Sequence, residues 1–223
     1  MRRHRSRGLS MVELLVGSAV GLLVAAAAGS VVSAHQGESR RLQVEARLMQ
    51  DLRGAAELVG RDLRRAGYWS SAASGVRSDD AVVLANPHAA IAAAGAAADS
   101  VALSFSTAIS NDAAIDDSER FGFHLRAGAV ELQLGARNWQ ALNDPATLVV
   151  TSFQVEPRLD EASLAAFCEQ PCPSGSTTCP PRQQVRSFAI TLAGRSPLDA
   201  RVTRSLRSIV RARNDTVVGS CEG

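Results

Sequence analysis

Leu14 to Ala34 is a run of 21 residues without a formal charge, and no other feature restricts the chain as much. As a helix rising 1.5 Å per residue it reaches about 31 Å, the thickness of a bilayer's hydrocarbon core. Four arginines, Arg2, Arg3, Arg5 and Arg7, precede it, while only Arg40 and Arg41 closely follow. That asymmetry places the N-terminus in the cytoplasm and everything after Ala34 across the membrane. A secretory signal with cleavage near Val32-Ser33-Ala34 is the plain alternative, but the run exceeds the roughly 7–15 residues of such a signal's apolar core. A static membrane anchor is the other. The remaining residues have to be soluble. With 46% hydrophobic and 21% charged residues, and the apolar ones concentrated in one stretch, the chain is neither disordered nor polytopic. All 24 basic residues are arginine, which excludes a phosphate-loop lysine, a Schiff-base lysine and a lysine isopeptide cross-link.

Glu13 interrupts the apolar pattern at the head of the run. At that depth a carboxylate costs about 2.5–3.5 kcal/mol, and the positive end of the helix dipole returns only about 0.3–1 kcal/mol. A cation has to supply the rest. Scission between Gly8 and Leu9 would create one, the free α-amino group of Leu9, and Gly8 is small enough to suit such a cut.

The string Arg7-Gly8-Leu9-Ser10-Met11-Val12-Glu13-Leu14-Leu15, followed by the apolar run, resembles the class III signal of type IV prepilins and pseudopilins. The resemblance implies that a prepilin peptidase cleaves after Gly8 and methylates the new terminus at Leu9. It also implies that Glu13 pairs with the terminal amine of a neighbouring subunit during assembly. Leu9 departs from the phenylalanine most often found there. Within the run, Gly17, Gly21, Ala25 and Gly29 repeat every four residues, forming the groove that lets helices approach closely in lipid.

From residue 36 to 66 the pattern turns amphipathic. Val44, Leu48, Leu52, Ala55, Val59, Leu63 and Ala66 fall at steps of three and four. No proline interrupts residues 9–66, so one helix is expected over that range, with Gly54 and Gly60 as points of bending. Gly67 is its natural stop, and Tyr68 and Trp69 are expected to anchor its end. The stretch Gly60-Arg61-Asp62-Leu63-Arg64-Arg65-Ala66-Gly67-Tyr68-Trp69 resembles the signature of PilW-like minor pilins. Asp99-Ser100-Val101-Ala102-Leu103 and Arg204 to Asn214 match that pattern more loosely. In physical terms alone, Arg61, Asp62, Arg64 and Arg65 read as a solvated helix face.

Beyond residue 69, short alternating segments predict strands at 81–84, 101–105, 121–125, 130–134, 148–155, 186–192 and 202–213, with a hairpin at Gly128. The alanine-rich stretch 89–98 has no period and is expected to be a loop or short helix. The fold class that follows is α+β and pilin-like: a long N-terminal helix, half transmembrane and half amphipathic, packed on an antiparallel sheet. The expected boundaries are a leader at 1–8, the transmembrane half at 9–34, the periplasmic half at 35–66, and a β-rich domain at 67–223.

Cys168, Cys172, Cys179 and Cys221 lie on the oxidising side of the membrane in this reading, so disulfides are expected, with three pairings open. A four-cysteine zinc site is the rival, but three residues between Cys168 and Cys172 is not the usual ligand spacing. His4, His35, His88 and His124 show no metal-ligand spacing and read as surface or edge residues. Asn111, Asp112, Asp116, Asp117 and Glu119 lack the pattern of a calcium loop and read as solvated. No catalytic constellation, metal or cofactor is expected, and the chain is expected not to be an enzyme. Arg201, Arg204, Arg207, Arg211 and Arg213 make a basic strand, but aromatic stacking platforms are scarce, which argues against nucleic acid and for a solvated face or subunit contact. The resemblance implies other minor pilins, the major pilin, the prepilin peptidase and an inner-membrane assembly platform as partners. It further implies storage in the inner membrane before incorporation into a pilus, with twitching motility and adhesion as the activities served. A minor pseudopilin of a type II secretion system shares the same leader and architecture, and a membrane-anchored periplasmic binding or sensory domain is the reading outside filaments.

Overall fold

A computed structural model describes residues 10–75, 84–93, 99–107 and 114–221. Gly8, Leu9, residues 81–83 and 94–98, Asn111 and Asp112 lie outside the described residues. The chain divides into two compact units, Met1–Val44 and Glu45–Gly223. Helix α1, Met11–Arg65, begins in the first and ends in the second.

The amphipathic spacing sets which side of α1 is covered. Leu48, Leu52, Ala55, Val59, Leu63 and Ala66 are all buried, several with no exposed surface at all, and each large one contributes about 1.5–3 kcal/mol through burial. Gly60 lets the helix pack closely: a Cβ built there would meet Val210 Cγ1 at 3.0 Å and Ile190 Cδ1 at 3.8 Å. The helix stops where expected. Gly67 has φ +77°, a left-handed conformation that glycine enters without penalty.

The domain contains two antiparallel sheets rather than one. The first comprises β1 (Ala92–Ala93), β2 (Ser100–Ser104), β3 (Arg120–Arg126), β4 (Ala129–Leu134) and β5 (Trp139–Ala141), in that order. β2, β3 and β4 are the expected meander, with the hairpin turning at Ala127-Gly128; β1 falls in the alanine-rich stretch expected to be a loop or short helix, and β5 was not expected. In the second sheet, β6 (Val149–Ser163) and β7 (Arg182–Arg195) are longer than the alternation indicated, β8 (Thr203–Arg211) falls inside the expected 202–213, and β9 (Thr216–Val218) was not expected. Its order is β6-β7-β8, with β9 also on β7. Phe153 and Val155 on β6 pair with Leu192 and Ile190 on β7, and with Phe188 they form the buried face of this sheet.

Beyond Glu156 the β6–β7 ladder continues as a ribbon from Pro157 opposite Phe188 to Ser163 opposite Arg182; β6 is exposed throughout it, while β7 is half-buried from Arg182 to Ser187 and buried at Phe188. The ribbon's connecting loop holds Cys168, Cys172 and Cys179, while Cys221 follows β9. Cys172 is bonded to Cys179 and Cys168 to Cys221. The second bond ties the segment after β9 to the ribbon, and the four thiols a zinc site would need are consumed.

Candidate functional site

The unit ending at Val44 presents its side chains outward. Leu14, Leu15, Leu22 and Leu23 are each more than 60% exposed, and the most apolar 18-residue window of α1 has a mean hydropathy of 2.1. A surface of that kind is stable only against lipid or other helices. Two of its hydroxyls bond back to the helix: Ser18 Oγ donates to Leu15 O at 2.9 Å and Ser30 Oγ to Ala27 O at 2.8 Å. Gly17, Gly21 and Gly29 have no heavy atom within 4 Å of a constructed Cβ, so the small-residue row has an open approach within this unit. Glu13 sits in the first turn of α1; the Gly8-Leu9 bond it would answer to is outside the described residues.

At the other end of α1, a clamp is assembled from three distant strings. Gly67 N donates to Ser104 O at 3.0 Å and Ser106 N to Tyr68 O at 2.9 Å, which fastens the helix end to β2 and the residues after it. Arg213 N donates to Arg64 O at 3.0 Å. Asn214 Nδ2 reaches Ala66 O at 3.2 Å and Arg65 O at 3.4 Å. Helix carbonyls that have no partner within the helix are thus capped by the segment after β8. Asn86 Nδ2 takes Gly67 O at 2.9 Å. The Arg186 guanidinium reaches Ala89 O and, at 2.9 Å, Asn214 O; burial pushes its pKa below arginine's ordinary value while Asp215 pushes back.

The solvated-face reading holds at Arg61 and Arg65, both exposed, and needs correction at Asp62. Asp62 is 3% exposed and accepts from Arg61 Nε at 3.0 Å, because its place on the helix falls beside Leu63 and Val59 on the covered side. Arg65 lies over the Phe105 ring at 4.1 Å, and that ring stacks on Phe121 at 3.9 Å. Of the two expected anchors, Trp69 is buried and Tyr68 is 48% exposed.

Two titratable residues expected at the surface are buried beneath this clamp. His88 and Glu119 are each 2% exposed, and Ser106 is 5% exposed. Ser106 Oγ lies 3.1 Å from His88 Nε2 and accepts from Ser70 N at 3.2 Å. Glu119 accepts from Thr107 N at 3.3 Å and Asp116 N at 3.2 Å. A serine, a histidine and a carboxylate suggest nucleophilic chemistry, but that arrangement requires the carboxylate on Nδ1. Here Glu119 Oε2 lies 3.8 Å from Nε2, the nitrogen that Ser106 already occupies. The cluster knots four chain segments together.

The basic strand carries its own counter-charges. Arg201 pairs with Asp199, Arg204 with Glu45, Arg207 with Glu156 and Arg211 with Asp215. Carboxylates so placed reduce what a polyanion would meet. His124 is not a plain edge residue either: its Nε2 is 2.6 Å from Glu131 Oε2, and its ring stacks on Trp139.

A family model described as prepilin peptidase-dependent protein B matches residues 41–212, more than three quarters of the chain and every strand from β1 to β8. The match starts after the apolar run, so it is independent of the residues that carry the leader resemblance. No curated protein and no solved structure matches the chain.

Proposed function

The chain belongs to the prepilin peptidase-dependent protein B family, and from that premise we propose that it is a minor pilin. In this reading the peptidase cuts after Gly8 and methylates Leu9, and the processed chain helps to initiate a type IV pilus, entering it at or near the tip. Glu13 meets the Leu9 amine of a neighbouring subunit, and the row Gly17, Gly21, Ala25 and Gly29 receives neighbouring helices. The other minor pilins, the major pilin and the inner-membrane assembly platform are its partners. Its chemistry is docking rather than catalysis.

The observation that carries this is the coincidence of two independent parts of the chain. A family match over residues 41–212 lies downstream of an exposed apolar helix headed by a lone carboxylate, Glu13. The two disulfides support an oxidising location for the domain. The bulk of the domain after α1 supports a tip position over a shaft repeat.

The test is the intact mass and N-terminal sequence of the membrane-extracted protein from cells with and without prepilin peptidase, followed by its location on purified filaments. A chain starting at methylated Leu9 only when the peptidase is present, sparse and terminal on type IV pili, is the expected result. Recovery with a type II secretion pseudopilus instead would reassign the filament. A chain starting at Met1 would make it a static anchor, and one starting near His35 a secreted domain.

A further inference from the structure

Trp139 stands on β5, an edge strand of the first sheet, and is 37% exposed, whereas Trp69 is 6% exposed in the core. Its indole lies against the His124 imidazole with centroids 3.8 Å apart and planes inclined by 22°. The stack covers one face of the indole, so the remaining exposure belongs to the opposite face and the edges. His124 is held in turn by Glu131, whose Oε2 is 2.6 Å from Nε2. The ladder places Gln133 directly opposite Trp139, and Gly122 directly opposite Gln133. A Cβ at Gly122 would lie 3.0 Å from Gln133 Oε1, so the Gln133 carboxamide lies over Gly122. Gln133 is itself fixed, donating from Nε2 to Ala136 O at 3.2 Å.

We propose that this face is a carbohydrate-binding platform on which the open side of Trp139 stacks against the C–H face of a neutral pyranose. Glu131 and Gln133 border the ring stack with a carboxylate and a carboxamide, which accept from and donate to the hydroxyls on the sugar's rim. The class follows from the surface chemistry. A broad apolar plane edged by hydrogen-bonding groups matches a ligand with one C–H face and a polar rim. A polyanion is disfavoured by the Glu131 carboxylate beside the stack. A quaternary ammonium would need several aromatic walls, and the imidazole beneath the indole leaves only one aromatic face open. The platform uses none of the residues on which the filament reading rests, and its failure would leave that reading untouched.

The experiment uses the full chain extracted in a detergent without sugar headgroups. It is applied to an array of neutral hexose and N-acetylhexosamine oligosaccharides, with heparin and tetramethylammonium as competitors, and the indole N–H resonances of Trp69 and Trp139 are followed by NMR. The expected result is binding to one or more neutral glycans that shifts Trp139 and not Trp69. Trp139→Ala should weaken binding by at least about tenfold, Trp139→Phe should retain part of it, and both should melt close to the parent. If Trp139→Ala unfolds, the resonance map and Trp139→Phe carry the decision. Absence of any neutral glycan on the array, displacement by heparin, or binding that survives Trp139→Ala without moving Trp139 would overturn the proposal.

Discussion

Gly67 shows how much one position can hold. Its φ of +77° excludes most side chains, and a Cβ there would lie 2.8 Å from Arg186 Nη2. Gly67→Ala should therefore cost about 1–2 kcal/mol from the left-handed backbone alone, with more if Arg186 shifts from Ala89 and Asn214. A domain of this size should then melt about 2–8 °C lower by calorimetry. Asn214→Ala removes the donor to two helix carbonyls and should cost about 1 kcal/mol; an unchanged melting curve would mean that water replaces it. Gly67 was legible in the sequence, as a glycine after an amphipathic run ending in arginines. Asn214 was not. It lies 148 residues from Ala66 in the chain, and nothing local marks a side chain as a distant cap. The same holds for His88, Ser106 and Glu119, whose burial arises from three segments that meet only when folded.

Among the elements, α1 was the most legible, because an apolar stripe at steps of three and four has one structural meaning. Its observed bounds, Met11–Arg65, fall within two residues of those expected, and the covered side is the one the stripe marked. Asp62 escaped that reading because a charge beside the stripe is normally solvated. The function proposed for the N-terminal half makes two predictions at this scale. Glu13→Gln should leave cleavage after Gly8 intact while removing most of the protein from purified filaments, since only docking uses the carboxylate charge. Gly21→Leu should do the same by filling the row of small residues. Immunoblots of sheared filaments against membranes read both outcomes, and normal incorporation of both variants would remove Glu13 and the row from the mechanism. The second sheet was less legible. The inner half of β6 faces a core and alternates; from Pro157 onward β6 is exposed and leaves no period to read, and its partners on β7, Arg182 to Ser187, are half-buried polar residues and a valine.

For the molecule as a whole, the two disulfides decide how the cysteine loop and the segment after β9 are held. Cys221→Ser should cost about 2–5 kcal/mol and free residues after Val218, measurable as faster hydrogen exchange there and in β9. The orientation read from the N-terminus indicated that the cysteines would be oxidised, but pairing depends on where the ribbon brings Cys168, and that position is set by strand lengths the sequence does not reveal. Consider a pull on the chain beyond Cys221. The Cys168–Cys221 bond, spanning 53 residues, offers tension a covalent shortcut from Cys221 to Cys168, so the backbones of β7, β8 and β9 lie off the load path. Stretched in a single-molecule instrument, the oxidised domain should keep about 180 Å of contour length hidden, and a reductant should release it.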